Sequence, residues 1–171
     1  LRCLVGSEMC IRDRDAVIKY GTLAKMNPPL REEADRQAVI RGLVDGTIDM
    51  IATDHAPHTA EEKAKPITEA PSGITGLETS LALGITELVD RGYLTMKQLL
   101  RLMSTNPAAM YHLDAGYLAE DGPADVILID TAAEFTPEKY ASKATNTPFT
   151  GWNLKGEVRK TICGGRIVYE A

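Results

Sequence analysis

Apolar positions in this chain fall into short runs that stop at polar, proline- or glycine-rich stretches, and the spacing within each run predicts its element. Ile48, Met50, Ile51 and Ala52 form a run that ends abruptly at Thr53-Asp54-His55-Ala56-Pro57-His58. This is the pattern of a strand buried on both faces whose carboxyl end opens into a pocket. Upstream, residues 22–26 predict another strand ending at Asn27. There Pro28 and Pro29 deny both continued strand and immediate helix. Between them Ala34, Ala38, Val39, Gly42 and Leu43 recur at three and four, Glu32 and Glu33 suit a first turn, and Gly46 suits a left-handed stop. Strand, loop with Asn27, helix, strand, loop with Asp54 is βαβ wiring.

Residues 59–71 are polar and predict a solvated surface loop, with a loop covering the pocket as the alternative; the stretch ends at Ser72-Gly73, where glycine lets backbone approach a ligand. Ile74, Leu77, Leu81, Ile85, Leu88 and Val89 then mark an amphipathic helix closed by Gly92. Thr95 and Gln98 form a capping box opening a shorter helix through Met103, and Asn106-Pro107 predicts the start of another. Beyond Gly116 helices give way to strands: residues 126–130, then a hairpin of residues 158–163 and 166–169 around Gly164-Gly165.

Composition narrows the class. The 171 residues, 44% hydrophobic and 25% charged, suffice for one soluble globular core. A net charge of -5 offers no basic stripe, which argues against nucleic acid as a partner. No apolar run approaches the roughly 20 residues needed to cross a bilayer, so no membrane association and a cytoplasmic location are expected. Cys3, Cys10 and Cys163 are too few and scattered for a disulfide framework or a metal cluster. Residues 4–14, LVGSEMCIRDR, read as translated sequencing-adapter sequence, and residues 1–14 are set aside from the fold on that ground.

The wording around the central strand adds more. TDHAPH, preceded by KMNPPLR and followed by APSGITGLET, resembles the last barrel strand and flanking loops of the dihydroorotases, zinc amidohydrolases of pyrimidine synthesis. A (β/α)₈ barrel takes roughly 250 residues. The resemblance therefore implies an α/β fold in which this chain is the carboxyl-terminal part of a TIM-barrel metal-dependent hydrolase (residues 15–115) with part of a small β-sandwich domain (residues 116–171). It implies zinc, one ion or two, with the remaining ligands upstream.

For Asp54 the resemblance implies the roles of metal ligand and catalytic acid-base: taking the proton of the attacking water and returning it to the ring nitrogen. It places His58 on the substrate carboxylate, Asn27 on the edge of the ring, and Ser72 and Gly73 where backbone groups meet the ring. His55 and His58 are three apart, a spacing seen in metal sites, but Pro57 breaks the register that would put both on one face. His55 is expected to support the loop, His112 to be a surface residue, and Asn146-Thr147-Pro148-Phe149 to pack the small domain against the barrel.

The implied reaction is the reversible conversion of dihydroorotate and water to N-carbamoyl-L-aspartate. The partners implied are that substrate pair, and a homodimer or a complex with aspartate carbamoyltransferase. Two alternatives stand beside this reading. Hydantoinases and allantoinases share the barrel and the metal-binding Asp but not the need for a basic residue at His58. A metal-free dihydroorotase-like subunit that scaffolds aspartate carbamoyltransferase would lack the metal histidines.

Overall fold

The computed structural model describes residues 3–6 and 15–171, with side chains from residue 15 onward. The apolar run forms β2 (Ile48–Ala52), with Met50 and Ile51 buried. Its parallel neighbour is β1 (Cys3–Gly6), in the register Leu4 to Met50, Val5 to Ile51 and Gly6 to Ala52. A strand thus lies within the stretch that the sequence reading set aside, while residues 7–14, Cys10 among them, lie outside the described residues.

After α1 (Ala16–Tyr20), residues 22–26 do not form the expected strand. Gly21 adopts φ 57, and Gly21–Ala24 coil into a 3₁₀ turn. Only Lys25 onward is extended, and its carbonyl accepts from Gly73 N rather than from a strand neighbour. The next helix, α2 (Glu33–Asp45), starts and stops within a residue of expectation, with Gly46 at φ 84 supplying the left-handed end. Gly42 lets Ile48 close over the helix: a Cβ there would lie 2.9 Å from Ile48 Cδ1.

Within the polar stretch stands a short helix, α3 (Ala60–Lys63), opened by a reciprocal capping box between Thr59 and Glu62. The following helix begins later than its apolar spacing suggests. The segment α4 (Ser80–Gly84) runs on as a π turn through Ile85–Val89, and Leu77 is exposed ahead of it. Another continuous rod comprises α5 (Met96–Leu100), a π turn (Arg101–Thr105) and α6 (Asn106–Met110).

Asn106-Pro107 therefore does not open a new helix. The wider π turn, in which Asn106 N reaches back to Arg101 O, accommodates a proline that cannot donate, and the Asn106 side chain is spent on Asp49 O of β2 at 2.8 Å. Leu83, Ile85, Leu88, Leu99 and Leu102 join Ile40, Leu43, Ile51 and Ile74 in one core.

The carboxyl-terminal strands β3 (Val126–Phe135), β4 (Leu154–Cys163) and β5 (Arg166–Glu170) form an antiparallel sheet in that order. Gly164 and Gly165, at φ 54 and 76, make the two-residue hairpin turn. One end of the sheet is pressed onto α4. Leu154 is fully buried, Lys155 N donates to Thr86 Oγ1 at 2.9 Å, and Gly156 faces Ile85 so closely that a side chain has no room. The other end leaves Ile127, Leu128, Ile167, Val168 and Tyr169 exposed.

Candidate active site

Two loops and one distant segment converge beyond the carboxyl end of β2. The first loop turns at Asp54, whose φ of 44 is a left-handed conformation that aspartate tolerates better than most side chains. Its carboxylate is exposed and makes no hydrogen bond among the described residues. Beside it, His55 Nδ1 accepts from Gly76 N at 3.1 Å and more weakly from Leu77 N at 3.4 Å. An accepting Nδ1 places the ring proton on Nε2, and the histidine serves as a brace between loops. Ala56 N then donates to Ile74 O at 2.8 Å, so the first loop lies along the second.

The second loop carries Ser72 and Gly73. His58 Nε2 sits 3.0 Å from Ser72 O, and His58 Nδ1 lies 3.8 Å from the Glu62 carboxylate. The Thr59 N–H holds the Glu62 carboxyl below the usual range, with His58 nearby acting in the same direction. Gly73 N is committed to Lys25 O at 2.9 Å, which ties the turn to the segment that leads to Asn27, two residues along and exposed. The Ser72 N–H and hydroxyl make no hydrogen bond among the described residues. His58 is thus bonded to Ser72 O, and Gly73 N to the carbonyl of Lys25, two residues before Asn27. Asp54 lies on the loop of His58, without a hydrogen bond to any of them among the described residues.

Two lysines hold this loop from behind. Lys25 Nζ donates to Ala70 O at 2.6 Å, and Lys63 Nζ donates to Thr22 O at 2.9 Å and to Pro71 O at 3.0 Å. The Thr22 hydroxyl returns a hydrogen bond to Lys63 O. Lys63 is only 4% exposed, and desolvation pulls its ammonium below the usual lysine range, Lys25 adding to the effect. The run Glu61-Glu62-Lys63-Ala64-Lys65 reads as solvated in sequence. Its one buried member carries no local signal, because it is the fold of residues 20–24 that buries it.

Asn146 is the residue that sequence reasoning assigned to packing alone. Its Oδ1 accepts from His58 N at 2.9 Å, and its Nδ2 donates to Ala56 O at 3.0 Å and to Gly73 O at 3.2 Å. The TNTPF motif was visible, but its reach of 88 residues back to His58 was not. A cavity of about 1200 Å³ lies among residues 20–23, 57–65 and 142–146, with His58 and Asn146 in its lining.

A zinc ion would find one donor here. The free Asp54 carboxylate offers two acceptor oxygens at a strand end, which fits a single ligand of such an ion. Among the described residues no three His, Cys, Asp or Glu side chains gather as a metal-holding group. No helix of the described residues is long and apolar enough to cross a membrane.

Comparisons with known proteins fit this geometry. The chain is 54% identical over 156 residues to the dihydroorotase of Lactococcus lactis subsp. lactis (strain IL1403), and 57% identical over 157 residues to that of Streptococcus pyogenes serotype M3 (strain ATCC BAA-595 / MGAS315). In both cases 91% of this chain is covered but only 37% of the relative, so the chain spans little more than a third of the curated relatives it matches. The structure superposes on the L-hydantoinase (dihydropyrimidinase) from Arthrobacter aurescens with a TM-score of 0.89 at 27% identity, over 99% of this chain and 39% of that one. That likeness bears out the expected α/β class, part of a TIM-barrel hydrolase fold with an added antiparallel sheet. The profile of the amidohydrolase family matches residues 10–168, and the chain belongs to that family.

Proposed function

We propose that this chain supplies the carboxyl-terminal strands, substrate loops and one metal ligand of a zinc-dependent dihydroorotase, which interconverts dihydroorotate and N-carbamoyl-L-aspartate in pyrimidine synthesis. The observation that carries the reading is the bond of His58 to Ser72 O, which ties the loop that begins at Asp54 to the Ser72-Gly73 turn, itself held to the segment that leads to Asn27. Identity of 54–57% to curated dihydroorotases supports this substrate over the hydantoins.

In this reading Asp54 would be one ligand of a zinc ion, with the others supplied from outside the described residues. When bound, zinc supplies Lewis acidity toward water and the amide carbonyl. Asp54 takes the proton of the attacking water as the carbon–oxygen bond forms, and delivers it to the ring nitrogen as the carbon–nitrogen bond breaks. His58 receives the substrate carboxylate, Asn27 pairs with the edge of the ring, and the Ser72-Gly73 turn closes over it. The partners would be the small-molecule substrate pair, with a second copy or aspartate carbamoyltransferase as assembly partner, in the cytoplasm.

The superposition on an L-hydantoinase favours a second substrate class, a cyclic imide without the carboxylate. One experiment separates the two: the zinc-loaded full-length protein is assayed on dihydroorotate and on hydantoin. Dihydroorotate should be preferred by at least tenfold in kcat/KM. Preference for hydantoin overturns the reading.

A further inference from the structure

We propose that Asn146 is a positioning residue whose one buried carboxamide holds the His58 loop and the Ser72-Gly73 turn in register for substrate. The proposal rests on the dihydroorotase reading for the roles of those loops, but its geometry stands apart from that reading. Asn146 is 4% exposed and spends its carboxamide on three backbone groups, one on His58, one on Ala56 and one on Gly73.

Its backbone is fixed as well. Asn146 O accepts from Thr75 N at 3.1 Å, and the segment just before it is held where Glu78 accepts from Ala141 N at 2.7 Å and Ser142 N at 3.1 Å. On the far side Phe149 is 1% exposed and packs edge-on against Trp152, with ring centroids 5.2 Å apart. A carboxamide set on so constrained a backbone acts as a template. The oxygen can serve only a donor and the nitrogen only acceptors, so His58 N–H and the two carbonyls of the facing loops settle at one spacing.

A residue that merely packs would be replaceable by any side chain of similar volume; a template is not. Asn146→Asp keeps the shape and the acceptor for His58 N, but turns a carboxylate oxygen toward two carbonyl oxygens. Asn146→Ala removes all three bonds.

The experiment uses the zinc-loaded full-length protein, with the cyclic amide that the wild type turns over as probe. Asn146→Asp should raise KM by about tenfold or more while kcat falls less than about threefold and zinc content holds; tenfold corresponds to about 1.4 kcal/mol, the scale of one lost buried hydrogen bond. The KM gap should narrow as pH falls, because a protonated carboxyl regains one O–H donor, and the gap of Asn146→Ala should not narrow. Amide exchange at His58 should quicken by about tenfold or more in Asn146→Ala, with the Leu99 amide unchanged.

Unchanged KM in Asn146→Asp, or unchanged exchange at His58 in Asn146→Ala, overturns the proposal. So does a uniform rise in exchange that includes Leu99. If the alanine variant does not fold, the aspartate variant and its pH response decide. Failure to turn over dihydroorotate sinks the functional reading instead and leaves the exchange test intact.

Discussion

Gly73 faces Ala56 so closely that a Cβ on Gly73 would lie 2.5 Å from the Ala56 Cβ and 3.4 Å from His58 Nε2. Gly73 also holds φ +120, a conformation that side-chain-bearing residues rarely adopt. Gly73→Ala is therefore expected to cost on the order of 1–3 kcal/mol locally, which the turn can relieve only by moving away from His58. KM in the full-length protein should rise by about tenfold or more. An unchanged KM would mean that the turn tolerates a side chain and does not close on substrate.

Asp54 stands at the strand end with its oxygens uncommitted. In the zinc-loaded full-length protein, Asp54→Ala should remove nearly all turnover and lower zinc content, and Asp54→Asn should restore neither. Metal analysis beside the activity assay checks both parts. Wild-type turnover in either variant would rule out its proton-transfer role.

His58 is expected to act on binding rather than on metal. Loss of a charge-assisted contact costs about 1.5–3 kcal/mol, so His58→Gln should raise KM for dihydroorotate by about one to two decades. Zinc content should be unchanged. Zinc loss in His58→Gln would make it a ligand after all.

How much of this was legible in the sequence depends on the distance between partners. The apolar run of β2, the Thr95–Gln98 capping box and the Gly164-Gly165 turn are local, and each stands where its residues indicate. The failures are also instructive. Residues 22–26 carry strand-like residues, yet Gly21 takes a positive φ, Gly21–Ala24 coil, and Ala24 and Met26 find burial without a ladder. Asn106-Pro107 looks like a helix start, but a π turn absorbs the proline. At the site, the residues of TDHAPH and SG could be named from their wording, whereas Lys63 and Asn146 depend on contacts 41 and 88 residues away that no window of sequence contains.

Glu33 is one contributor to the acid limb of stability. In the first turn of α2, Glu33 accepts from Arg36 at 2.6 Å and from Gln37 at 2.8 Å, and these bonds hold its carboxyl down at about 2. A folded-state value below the ordinary 4.5 means stabilisation that is present above pH 4.5 and lost as pH falls toward 2. The Glu33 side chain is about half exposed, and solvent screening keeps the worth of the pair under about 1 kcal/mol. Glu33→Gln should lower Tm by less than about 3 °C at neutral pH, and the difference should shrink steadily as the pH is lowered below 4.5. Thermal melts of both proteins across that range check the sign.

The isolated 171-residue chain should neither turn over dihydroorotate nor hold zinc tightly, because Asp54 offers one ligand and the exposed Ile127, Leu128, Ile167 and Val168 at the free end of the sheet favour association. Light scattering, zinc stoichiometry and a ring-opening assay are the measures. A soluble monomer with tightly bound zinc and turnover would overturn this expectation.

The Asn146 clamp also sets an order of events during synthesis. Its bonds span 73 to 90 residues, and closing so long a loop yields nothing until the far end exists. A nascent chain that has emerged through β3 already carries Asp54, His58, Ser72 and Gly73, yet the two loops that bear them still lack the carboxamide that spaces them. The site thus matures only after Asn146 has emerged, and a ribosome stalled before residue 146 would display a barrel edge whose substrate loops remain unregistered.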